Sequence, residues 1–543
     1  MSIGSMTGGE AVVHSLIAQG VDTLFALPGV QNDFLFNALY DRRGEIRVIH
    51  TRHEQGAAFM ALGYALMRGD VGVYSVVPGP GFLNATAALA TAYSLNARVL
   101  ALIGQLPSAQ IGRAEGILHE IPDQIGILRS LTKWAERVNA PSEAPMQVAE
   151  AFRQMRSGRP RPVGLEVPMD VLAQRGPVDT APIALPPYAP PLDHGLIETA
   201  AALLGHAQNP AIYVGGGAQG VGNEILALAE ALQAPVVAHR TGLGVIDGRH
   251  PLSLHLPASH GYWKKVDVVL AIGTYLRSPL TDWGVDANLK VIHLDVDPTT
   301  HTILRRPYIA LTARAEDALP ELIAGVAKHN HPRPSRTGEM LEIKADWAAQ
   351  TAYLEEQLGY LKVIRDGLGE DGVFVEDLTQ VTYAARYVLP VYKPRTYLTT
   401  GYQGTLGLGF PTALGAKVAR PDLPVIAVVG DGGFMFTSQE LATAVQHKIP
   451  LVTLVFNNNA YGNVQQMQKN LHGNRVIATD LVNPDFVKLA EAFGAVGLRA
   501  NTLSELADAI RVGLKASGPT VIDVPHGEMP SVDKFRRLAK VRG

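Results

Sequence analysis

Short, mainly apolar runs alternate with stretches of helical periodicity along most of the chain. The apolar runs recur at 21–27, 72–77, 98–103, 210–214, 266–273, 423–429 and 450–456. Between them, apolar residues return every three or four positions, as in 8–20 and 85–94. Buried strands that alternate with helices are typical of a parallel sheet covered by helices on both faces. The pattern therefore predicts an α/β fold built from doubly wound parallel sheets.

Two proline-containing stretches divide this pattern into three segments. Residues 181–191 are too rich in proline for regular structure, and residues 329–337 are polar and also contain proline, so both indicate linkers. A chain of 543 residues is too long for one hydrophobic core. We therefore expect three domains, at 1–180, 192–328 and 340–543, each built around a parallel sheet.

The composition excludes several classes of protein. The chain has no cysteine, which excludes disulfides, zinc–thiolate sites and cysteine nucleophiles. Its net charge of −3 shows no basic excess, so we expect no nucleic-acid partner and no anionic membrane surface as partner. The N-terminus lacks a signal-peptide pattern, and no apolar run approaches the roughly 18 residues of a spanning helix. We therefore expect a soluble, cytoplasmic protein.

The most specific pattern is a glycine turn followed, one helix later, by a strand that ends on asparagine. Residues 430–433 read Gly-Asp-Gly-Gly and follow the run 423–429, and Asn457-Asn458 closes the run 450–456. A right-handed crossover would make the two strands parallel and place Asp431 and Asn458 at one edge of the sheet. One carboxylate, one amide oxygen and a glycine turn suit a divalent cation that holds a diphosphate. The alternative is a plain βαβ unit.

The helix of this unit is predicted to begin at a capping box. Thr437 and Glu440 have the spacing at which the two side chains satisfy each other's backbone N–H groups. The pattern therefore predicts a helix that starts at Thr437.

A single carboxylate stands where an earlier strand meets a helix. Glu54 follows the predicted strand 46–50 and opens an alanine-rich helix that runs to about residue 68. Taken alone, it can be a helix-start carboxylate favoured by the helix dipole. A catalytic interpretation needs one carboxyl group in a dry site, where it can share a proton with a weak base.

A second glycine-rich turn raises the alternative of a nicotinamide dinucleotide site. Residues 215–220 match G-x-G-x-x-G after the predicted strand 210–214. That fingerprint also requires an acidic residue about 20 positions further on, to hold the ribose. The next predicted strand ends on His239-Arg240 instead, which disfavours this alternative.

Over its whole length, the chain resembles the thiamine-diphosphate (ThDP)-dependent 2-oxo-acid decarboxylase and acetolactate synthase superfamily, most clearly around Glu54, Leu406 and residues 430–462. The resemblance implies a pyrimidine-binding first domain, a middle domain and a diphosphate-binding third domain. It implies that Glu54 activates the cofactor's aminopyrimidine, which then takes the thiazolium C2 proton. It further implies that Asp431, the Asn458 side chain and the Ala460 carbonyl bind Mg²⁺. The other cofactor contacts that it implies are Pro28, Gly29, Asn84, Gln380, Gly404, Leu406, Gly430, Gly432, Gly433, Tyr461 and Gly462, with Leu406 as the bulky residue that bends the cofactor.

Several positions depart from biosynthetic acetolactate synthase. Met467 stands where that family has tryptophan, Leu406 replaces the usual methionine, and Phe82 replaces a small residue beside the cofactor. The segments around Phe82 and residues 118–138 look closer to benzaldehyde lyase. That likeness places Gln31 and His119 near the substrate, together with Phe82 and Met467. The alternative for His119 is a surface histidine in a loop.

The glycine turns of the middle segment, at 215–217 and 241–244, resemble the FAD-binding domain of acetolactate synthases. The stretch after Gly273 reads Thr-Tyr-Leu-Arg-Ser-Pro-Leu, however, and lacks the family's adjacent Asp and Arg residues. FAD is therefore considered, but we expect it to bind weakly or not at all.

Three classes of function follow. A ThDP-dependent carboligase or lyase acting on a 2-oxo acid or hydroxyketone is favoured, and a ThDP-dependent 2-oxo-acid decarboxylase that does not ligate is the alternative. A nicotinamide oxidoreductase or non-catalytic binding protein is least favoured. The resemblance also implies a homodimer or homotetramer with active sites between subunits.

Overall fold

The computed structural model describes residues 3–543, and its first segment is built on a six-stranded parallel sheet. The order in this sheet is β3-β2-β4-β5-β7-β6, and every pair of neighbours is parallel. The strands of this segment are β1 Ile3–Thr7, β2 Thr23–Ala26, β3 Arg47–His50, β4 Gly72–Val76, β5 Val99–Gln105, β6 Ala135–Arg137, β7 Val163–Pro168 and β8 Arg175–Asp179. Strands β1 and β8 lie outside the six-stranded sheet. The helices are α1 Gly8–Ala18, α2 Asp33–Asp41, α3 Glu54–Arg68, α4 Pro80–Ser94, α5 Gln124–Leu131, α6 Ala144–Arg156 and α7 Met169–Ala173.

The middle segment repeats this design with the order β11-β10-β9-β12-β13-β14, again parallel throughout. Its strands are β9 Pro210–Val214, β10 Val236–Ala238, β11 Ser253–His255, β12 Val268–Ile272, β13 Lys290–Asp295 and β14 Ile309–Thr312. Its helices are α8 His194–His206, α9 Gly222–Leu232, α10 His260–Trp263, α11 Arg277–Thr281, α12 Thr300–Ile303 and α13 Ala315–His329.

The last segment carries the third parallel sheet, in the order β16-β15-β17-β18-β20-β19. Its strands are β15 Val373–Glu376, β16 Tyr397–Leu398, β17 Val425–Gly430, β18 Val452–Asn457, β19 Val496–Arg499 and β20 Thr520–Pro525. Its helices are α14 Thr337–Thr351, α15 Glu355–Leu368, α16 Gln380–Val388, α17 Gly409–Ala419, α18 Asp431–Met435, α19 Leu441–Gln446, α20 Gly462–Leu471, α21 Phe486–Phe493 and α22 Leu503–Lys515. The predicted α/β class with three doubly wound parallel sheets is confirmed.

The strand order of each sheet reverses next to the strand that comes first in it, which is β2, β9 or β15, and ligands of such folds bind beside such a reversal, at the carboxyl ends of the strands. The reversal lies between β2 and β4 in the first sheet, between β9 and β12 in the second, and between β15 and β17 in the third. These three positions are where the glycine turns of the sequence fall. The topology therefore gives one candidate ligand edge to each sheet.

Two pairings were not predicted. Strands β1 and β8 form a separate antiparallel pair that ties the start of the chain to the end of its first segment. At the other terminus, the Val541 N–H donates to the Trp283 carbonyl (2.9 Å) and the Arg542 guanidinium pairs with Asp286 (2.9 Å). The last residues of the chain thus contact the middle segment.

The first and third segments share one hydrophobic core, because helices α3 and α17 pack directly against each other. A Cβ at Gly63 would overlap the Thr412 carbonyl, and a Cβ at Gly415 would overlap the Met60 carbonyl. Moving three residues forward along α17, from Thr412 to Gly415, corresponds to moving three residues back along α3, from Gly63 to Met60. The two helices are therefore antiparallel. Glycine is required at both contacts because the backbones approach too closely for any side chain.

The predicted capping box is wrong. The chain forms the short helix α18 and then a 3₁₀ turn at Ser438–Glu440 before α19. The Thr437 hydroxyl donates to the Gly407 carbonyl (2.9 Å), and the fully buried Glu440 carboxylate accepts N–H groups from the first segment. Tertiary partners have therefore replaced the local cap.

No helix within residues 3–543 combines the length and the apolar character that crossing a lipid bilayer would need.

Candidate active site

The first half of the site lies at the reversal point of the first sheet. Glu54 opens helix α3, and its side chain is only 13 % exposed. The Asn84 amide, on α4, donates to the Glu54 carboxylate (3.0 Å). A Cβ at Gly81 would lie 3.5 Å from the same carboxylate, and a Cβ at Gly29 would lie 2.5 Å from Val77. The turns after β2 and β4 therefore converge on Glu54, as predicted for a carboxyl group in a dry site.

Two polar side chains beside Glu54 have buried atoms without hydrogen-bond partners in the described chain. Gln31 donates to the Leu118 carbonyl (3.4 Å), but its Oε1 is unpaired, and so is Nδ1 of His119. His119 has a left-handed backbone (φ 71°), and its carbonyl abuts Gly79 at the start of α4. Buried polar atoms are normally paired, so unpaired atoms at a ligand edge mark places where a ligand can bind. His119 is therefore part of the site edge, which argues against a plain surface histidine.

The second half of the site lies at the reversal point of the third sheet, where Asp431 follows β17. The Asn483 amide donates to the Asp431 carboxylate (2.7 Å) and lies 3.2 Å from Asn457 Oδ1 and 3.3 Å from Asn459 Oδ1. Three side-chain oxygens thus converge on one electropositive group. An oxygen-only donor set of this kind fits a hard cation such as Mg²⁺.

Of the other predicted metal ligands, the structure places Ala460 beside this carboxylate. The Ala460 N–H donates to Asp431, and the Asn458 amide lies against Gly462, where a Cβ would be 2.7 Å from Nδ2. Burial raises the pKa of the Asp431 carboxyl, while the hydrogen bond from Asn483 opposes this. A bound cation would restore the ionised form, because an opposite charge favours it.

Two glycines, Gly432 and Gly433, follow Asp431 and leave the backbone there without side chains. A Cβ at Gly432 would lie 2.6 Å from the Tyr461 ring, and a Cβ at Gly433 would lie 3.3 Å from Asp377. Neither position has room for a side chain, and backbone N–H groups such as those at the start of α18 are groups that can bind an anion such as a diphosphate. Nearby, Oε1 of Gln380, the first residue of α16, is buried and unpaired. The residues present therefore fit a diphosphate held through a metal ion.

The Leu406 segment is fixed from both sides. Gly404 and Gly407 have left-handed backbones (φ 61° and 81°), and the Thr405 hydroxyl hydrogen-bonds the Thr91 hydroxyl of helix α4 (2.9 Å). The Gly409 N–H donates to the Asp377 carboxylate (3.1 Å). These contacts fix the backbone on both sides of Leu406.

Sequence reasoning missed two buried carboxylates. Asp377 links the loops around Gly409 and Leu378, and burial raises its pKa to about 6. Glu440 accepts the backbone N–H groups of Arg52 (3.1 Å) and His53 (3.0 Å), which directly precede Glu54, and burial raises its pKa. The only sequence signal for Asp377 was its place at the end of a strand, and the signal for Glu440 was misread as a cap.

The two halves lie at opposite ends of the α3–α17 pair. Helix α3 starts at the carboxyl edge of the first sheet and α17 starts at the carboxyl edge of the third, and the two helices are antiparallel. Gly63 lies opposite Thr412, and Glu54 comes nine positions earlier on α3, so on an antiparallel partner it lies opposite about position 421. The Leu406 loop, by contrast, ends at Gly409, where α17 begins. Twelve helical positions span roughly 18 Å. Within one chain, the two halves of the site are therefore roughly this far apart along the helix pair.

The predicted site residues accordingly form two groups. The first sheet gathers Pro28, Gly29, Gln31, Glu54, Phe82, Asn84 and His119, and the third gathers Gln380, Gly404, Leu406, Gly430, Asp431, Gly432, Gly433, Asn458, Ala460, Tyr461, Gly462 and Met467. Phe82 is fully buried in the core that the two segments share, whereas Met467 is 37 % exposed on α20.

Large apolar side chains are exposed at both ends. Near Glu54 these are Val30 (60 %), Phe34 (45 %), Leu83 (43 %) and Leu118 (64 %), and near Asp431 they are Met435 (41 %), Phe436 (48 %), Met467 (37 %) and Ile477 (75 %). Exposed apolar surface beside a ligand edge is typical of an interaction site.

A cleft of about 750 Å³ lies between the middle sheet and the other two segments. Its middle-segment wall carries the glycine turns of β9 and β12, where a Cβ at Gly217 would lie 2.8 Å from Gly273. Arg159 reaches in from the first segment and binds Asp295 (3.3 Å), Asp297 (2.8 Å) and the Tyr275 hydroxyl (3.0 Å). The acidic side chains at the end of β13 are therefore already paired.

Comparison with known proteins agrees with this architecture. Three family models match: the N-terminal TPP binding domain of thiamine pyrophosphate enzymes at residues 6–127, their central domain at 197–322, and their C-terminal TPP binding domain at 377–524. Thiamine pyrophosphate (TPP) is another name for ThDP. The matched ranges each contain most strands of one of the three parallel sheets.

Curated relatives cover nearly the whole chain. A "Probable 2-ketoarginine decarboxylase" of Pseudomonas aeruginosa is 34 % identical over 535 residues, covering 96 % of this chain and 94 % of the relative. A "Probable acetolactate synthase large subunit" of Methanocaldococcus jannaschii is 33 % identical over 570 residues (99 % and 95 %). The acetolactate synthase isozyme 2 large subunit of Escherichia coli is 31 % identical over 559 residues (97 % of both chains). The chain therefore belongs to the thiamine pyrophosphate enzymes, within the acetolactate synthase-like superfamily.

Proposed function

We propose that this enzyme is a ThDP- and Mg²⁺-dependent carboligase or lyase acting on a 2-oxo acid or a hydroxyketone. The observation that supports it best is the carboxyl edge of the first sheet, which carries the nearly buried Glu54 carboxylate and two unpaired polar atoms, on Gln31 and His119. A carbonyl substrate with a carboxylate or hydroxyl group can pair with such atoms. The relatives named as acetolactate synthases favour carbon–carbon bond formation.

The chemistry divides between the cofactor and the chain. Bound ThDP supplies an electron sink for the negative charge that remains when a carbon–carbon bond to the substrate carbonyl breaks. Glu54 holds a proton at the edge of the first sheet, and Asn84 fixes the orientation of its carboxylate. Asp431, Asn458 and the Ala460 carbonyl would hold Mg²⁺, and Gly432 and Gly433 let the backbone approach the diphosphate.

The second candidate is a 2-oxo-acid decarboxylase that does not ligate. It is favoured by the relative named as a 2-ketoarginine decarboxylase, which is 34 % identical over almost the full chain. The two candidates differ in what the donor fragment meets after CO₂ leaves. A proton gives an aldehyde, whereas a second carbonyl compound gives a hydroxyketone.

Product analysis separates them. The holoenzyme is incubated with a panel of 2-oxo acids and hydroxyketones, alone and with aldehyde acceptors, and the products are identified by mass spectrometry. Hydroxyketones, or their cleavage to aldehydes, support the carboligase or lyase, whereas aldehydes alone from 2-oxo acids support the decarboxylase. Failure of ThDP with Mg²⁺ to bind the apoprotein would contradict both.

We further propose that the active unit is at least a homodimer, either a dimer or a tetramer, with each site between two subunits. The roughly 18 Å separation of the two site halves supports this, because a two-fold related copy can place Glu54 of one subunit opposite Asp431 of the other. The exposed apolar side chains at both ends support it as well, since they would cover each other in such a pair.

A mixing experiment tests the shared site. Glu54→Gln and Asp431→Ala proteins, each inactive alone, are combined in equal amounts under conditions of subunit exchange. Random two-fold pairing makes half the dimers mixed, each with one intact site, so about a quarter of wild-type activity is expected. If both residues served a site within one chain, mixing would restore nothing, and a fully active monomer on size-exclusion chromatography would also contradict the proposal.

We also propose that the cleft of the middle segment binds FAD weakly or not at all. The Asp and Arg contacts expected after Gly273 are missing, and Arg159 already occupies Asp295 and Asp297. Each lost charged contact typically costs about 1.5–3 kcal/mol, so two would weaken binding by roughly two to four decades.

The absorbance spectrum of the purified protein tests directly whether FAD is bound. We expect a colourless protein that gains no stoichiometric flavin on incubation with FAD, together with a donor and acceptor choice other than that of the branched-chain pathway. A yellow protein with one FAD per chain that makes acetolactate from pyruvate at a biosynthetic rate would contradict both parts.

A further inference from the structure

One end of the middle cleft carries a cluster of arginines that the ThDP reaction does not use. Arg98 precedes β5, Arg156 ends α6, and Arg395 precedes β16, so the cluster joins the first and third segments beside the middle one. The Arg395 guanidinium lies against Gly69, where a Cβ would be 2.5 Å from Cζ. Arg98 donates to the Gly69 carbonyl (2.6 Å). The three guanidinium groups therefore surround the C-terminal end of helix α3.

The cations of this cluster outnumber the groups that can neutralise them. Asp70 pairs with Arg156 (3.1 Å), which leaves Arg98 and Arg395 with no carboxylate partner within residues 3–543. Nε of Arg98 is buried and unpaired, and no side-chain atom of Arg395 makes a hydrogen bond in the described chain. Burial lowers the pKa of both guanidinium groups, and repulsion from Arg98 lowers the pKa of Arg395 further. At Arg98, attraction from Asp70 and Glu316 opposes this effect, while repulsion from Arg156 adds to it.

A structural explanation accounts for only part of this cluster. The carbonyl end of helix α3 favours cations, but a helix terminus carries only about half an elementary charge. Three arginines set against Asp70, Glu316 and one helix end still leave a net charge of about +0.5. Half-buried cations without an ion-pair partner do not stabilise a protein, and Arg395 adds a left-handed backbone (φ 62°) that side chains rarely adopt. Packing alone therefore gives no reason for this arrangement.

We propose that the cluster formed by Arg98, Arg156 and Arg395 binds a multiply charged anion that carries phosphate or carboxylate groups. The planar guanidinium group matches both kinds of group through paired hydrogen bonds. The cleft of about 750 Å³ accommodates a ligand of nucleotide or smaller size. The charged end of the ligand lies at Gly69, on the first and third segments, and not at the glycine turns of the middle sheet. This site is independent of the proposed reaction.

Calorimetry on the holoenzyme tests the proposal. ThDP and Mg²⁺ are kept in excess so that the catalytic diphosphate site is filled. The probes are inorganic phosphate, ADP and citrate, which distinguish a free anion, a nucleotide and a polycarboxylate. We expect at least one probe to bind, and Arg98→Gln or Arg395→Gly to weaken its binding by about tenfold to a hundredfold, the usual effect of a lost charged contact. Arg305→Gln, which removes an exposed arginine of the middle segment, is the control and should bind as wild type does.

Thermal stability separates binding from a purely structural role. Arg395→Gly relieves both the left-handed backbone and the repulsion from Arg98, so the ligand-free variant should melt at the wild-type temperature or above it. It should also lose the rise in melting temperature that the anion produces in the wild type. A structural role would instead lower the melting temperature of the free variant. A lower melting temperature of the free variant would overturn the proposal. Equal binding of a probe by the wild type and both variants would also overturn it, as would failure of all three probes to bind the wild type.

Discussion

Replacing Glu54 by glutamine should slow turnover by at least about a hundredfold, the usual scale for a lost acid–base group. The substitution preserves the shape of the side chain, and its amide oxygen can still accept the hydrogen bond from Asn84. It removes the capacity to hold and release a proton at the site edge. Because Glu54 would face the aminopyrimidine of ThDP and not its diphosphate, ThDP should still bind with near wild-type affinity.

The measurement compares kcat with the dissociation constant for ThDP, obtained from quenching of protein fluorescence. Glu355→Gln provides a matched control, because Glu355 is also the first residue of a helix, α15, but is exposed and makes no side-chain hydrogen bond or ion pair within residues 3–543. The control should retain normal turnover. Near-normal turnover in the Glu54 variant would remove the catalytic assignment.

Alanine at Asp431 or Asn458 should abolish ThDP and Mg²⁺ binding while the protein still folds. Mg²⁺ prefers oxygen ligands, and each substitution removes one of them from a site that offers few. The fold should survive because burial raises the pKa of Asp431. Its ionised form therefore opposes folding at neutral pH, and this unfavourable contribution disappears as the pH falls below the range in which an unfolded aspartate titrates.

Calorimetric titration with ThDP and Mg²⁺, together with thermal unfolding of the apoprotein, tests this expectation. Asp422→Ala is the control, since Asp422 lies on an exposed turn before the same strand and pairs only with Arg420 among the described residues. It should bind the cofactor as the wild type does. Wild-type affinity for ThDP in either site variant would end the metal assignment.

Much of the site could be predicted because parallel sheets place ligands at known edges. Asp431 and Asn458 follow neighbouring strands in the chain, so a pattern of strand, turn, helix and strand was enough to bring them together. Glu54 was recognisable as a carboxylate at a strand-to-helix junction. The role of Glu440 was not recognisable, because the partners of its carboxylate, Arg52 and His53, are almost 400 positions away. A local spacing rule instead paired its side chain with Thr437, a cap that does not form.

The sequence by itself determined the three parallel sheets, the glycine turns at their edges and the residue types of the site, because these depend on local periodicity and short connections. Only the tertiary structure decided that α3 and α17 pack antiparallel, which places the two site halves of one chain at opposite ends of this helix pair. That orientation results from close backbone contact at Gly63 and Gly415, a contact between segments far apart in sequence. The arginine cluster around Gly69 likewise exists only in three dimensions, since its members come from distant elements that packing alone brings together.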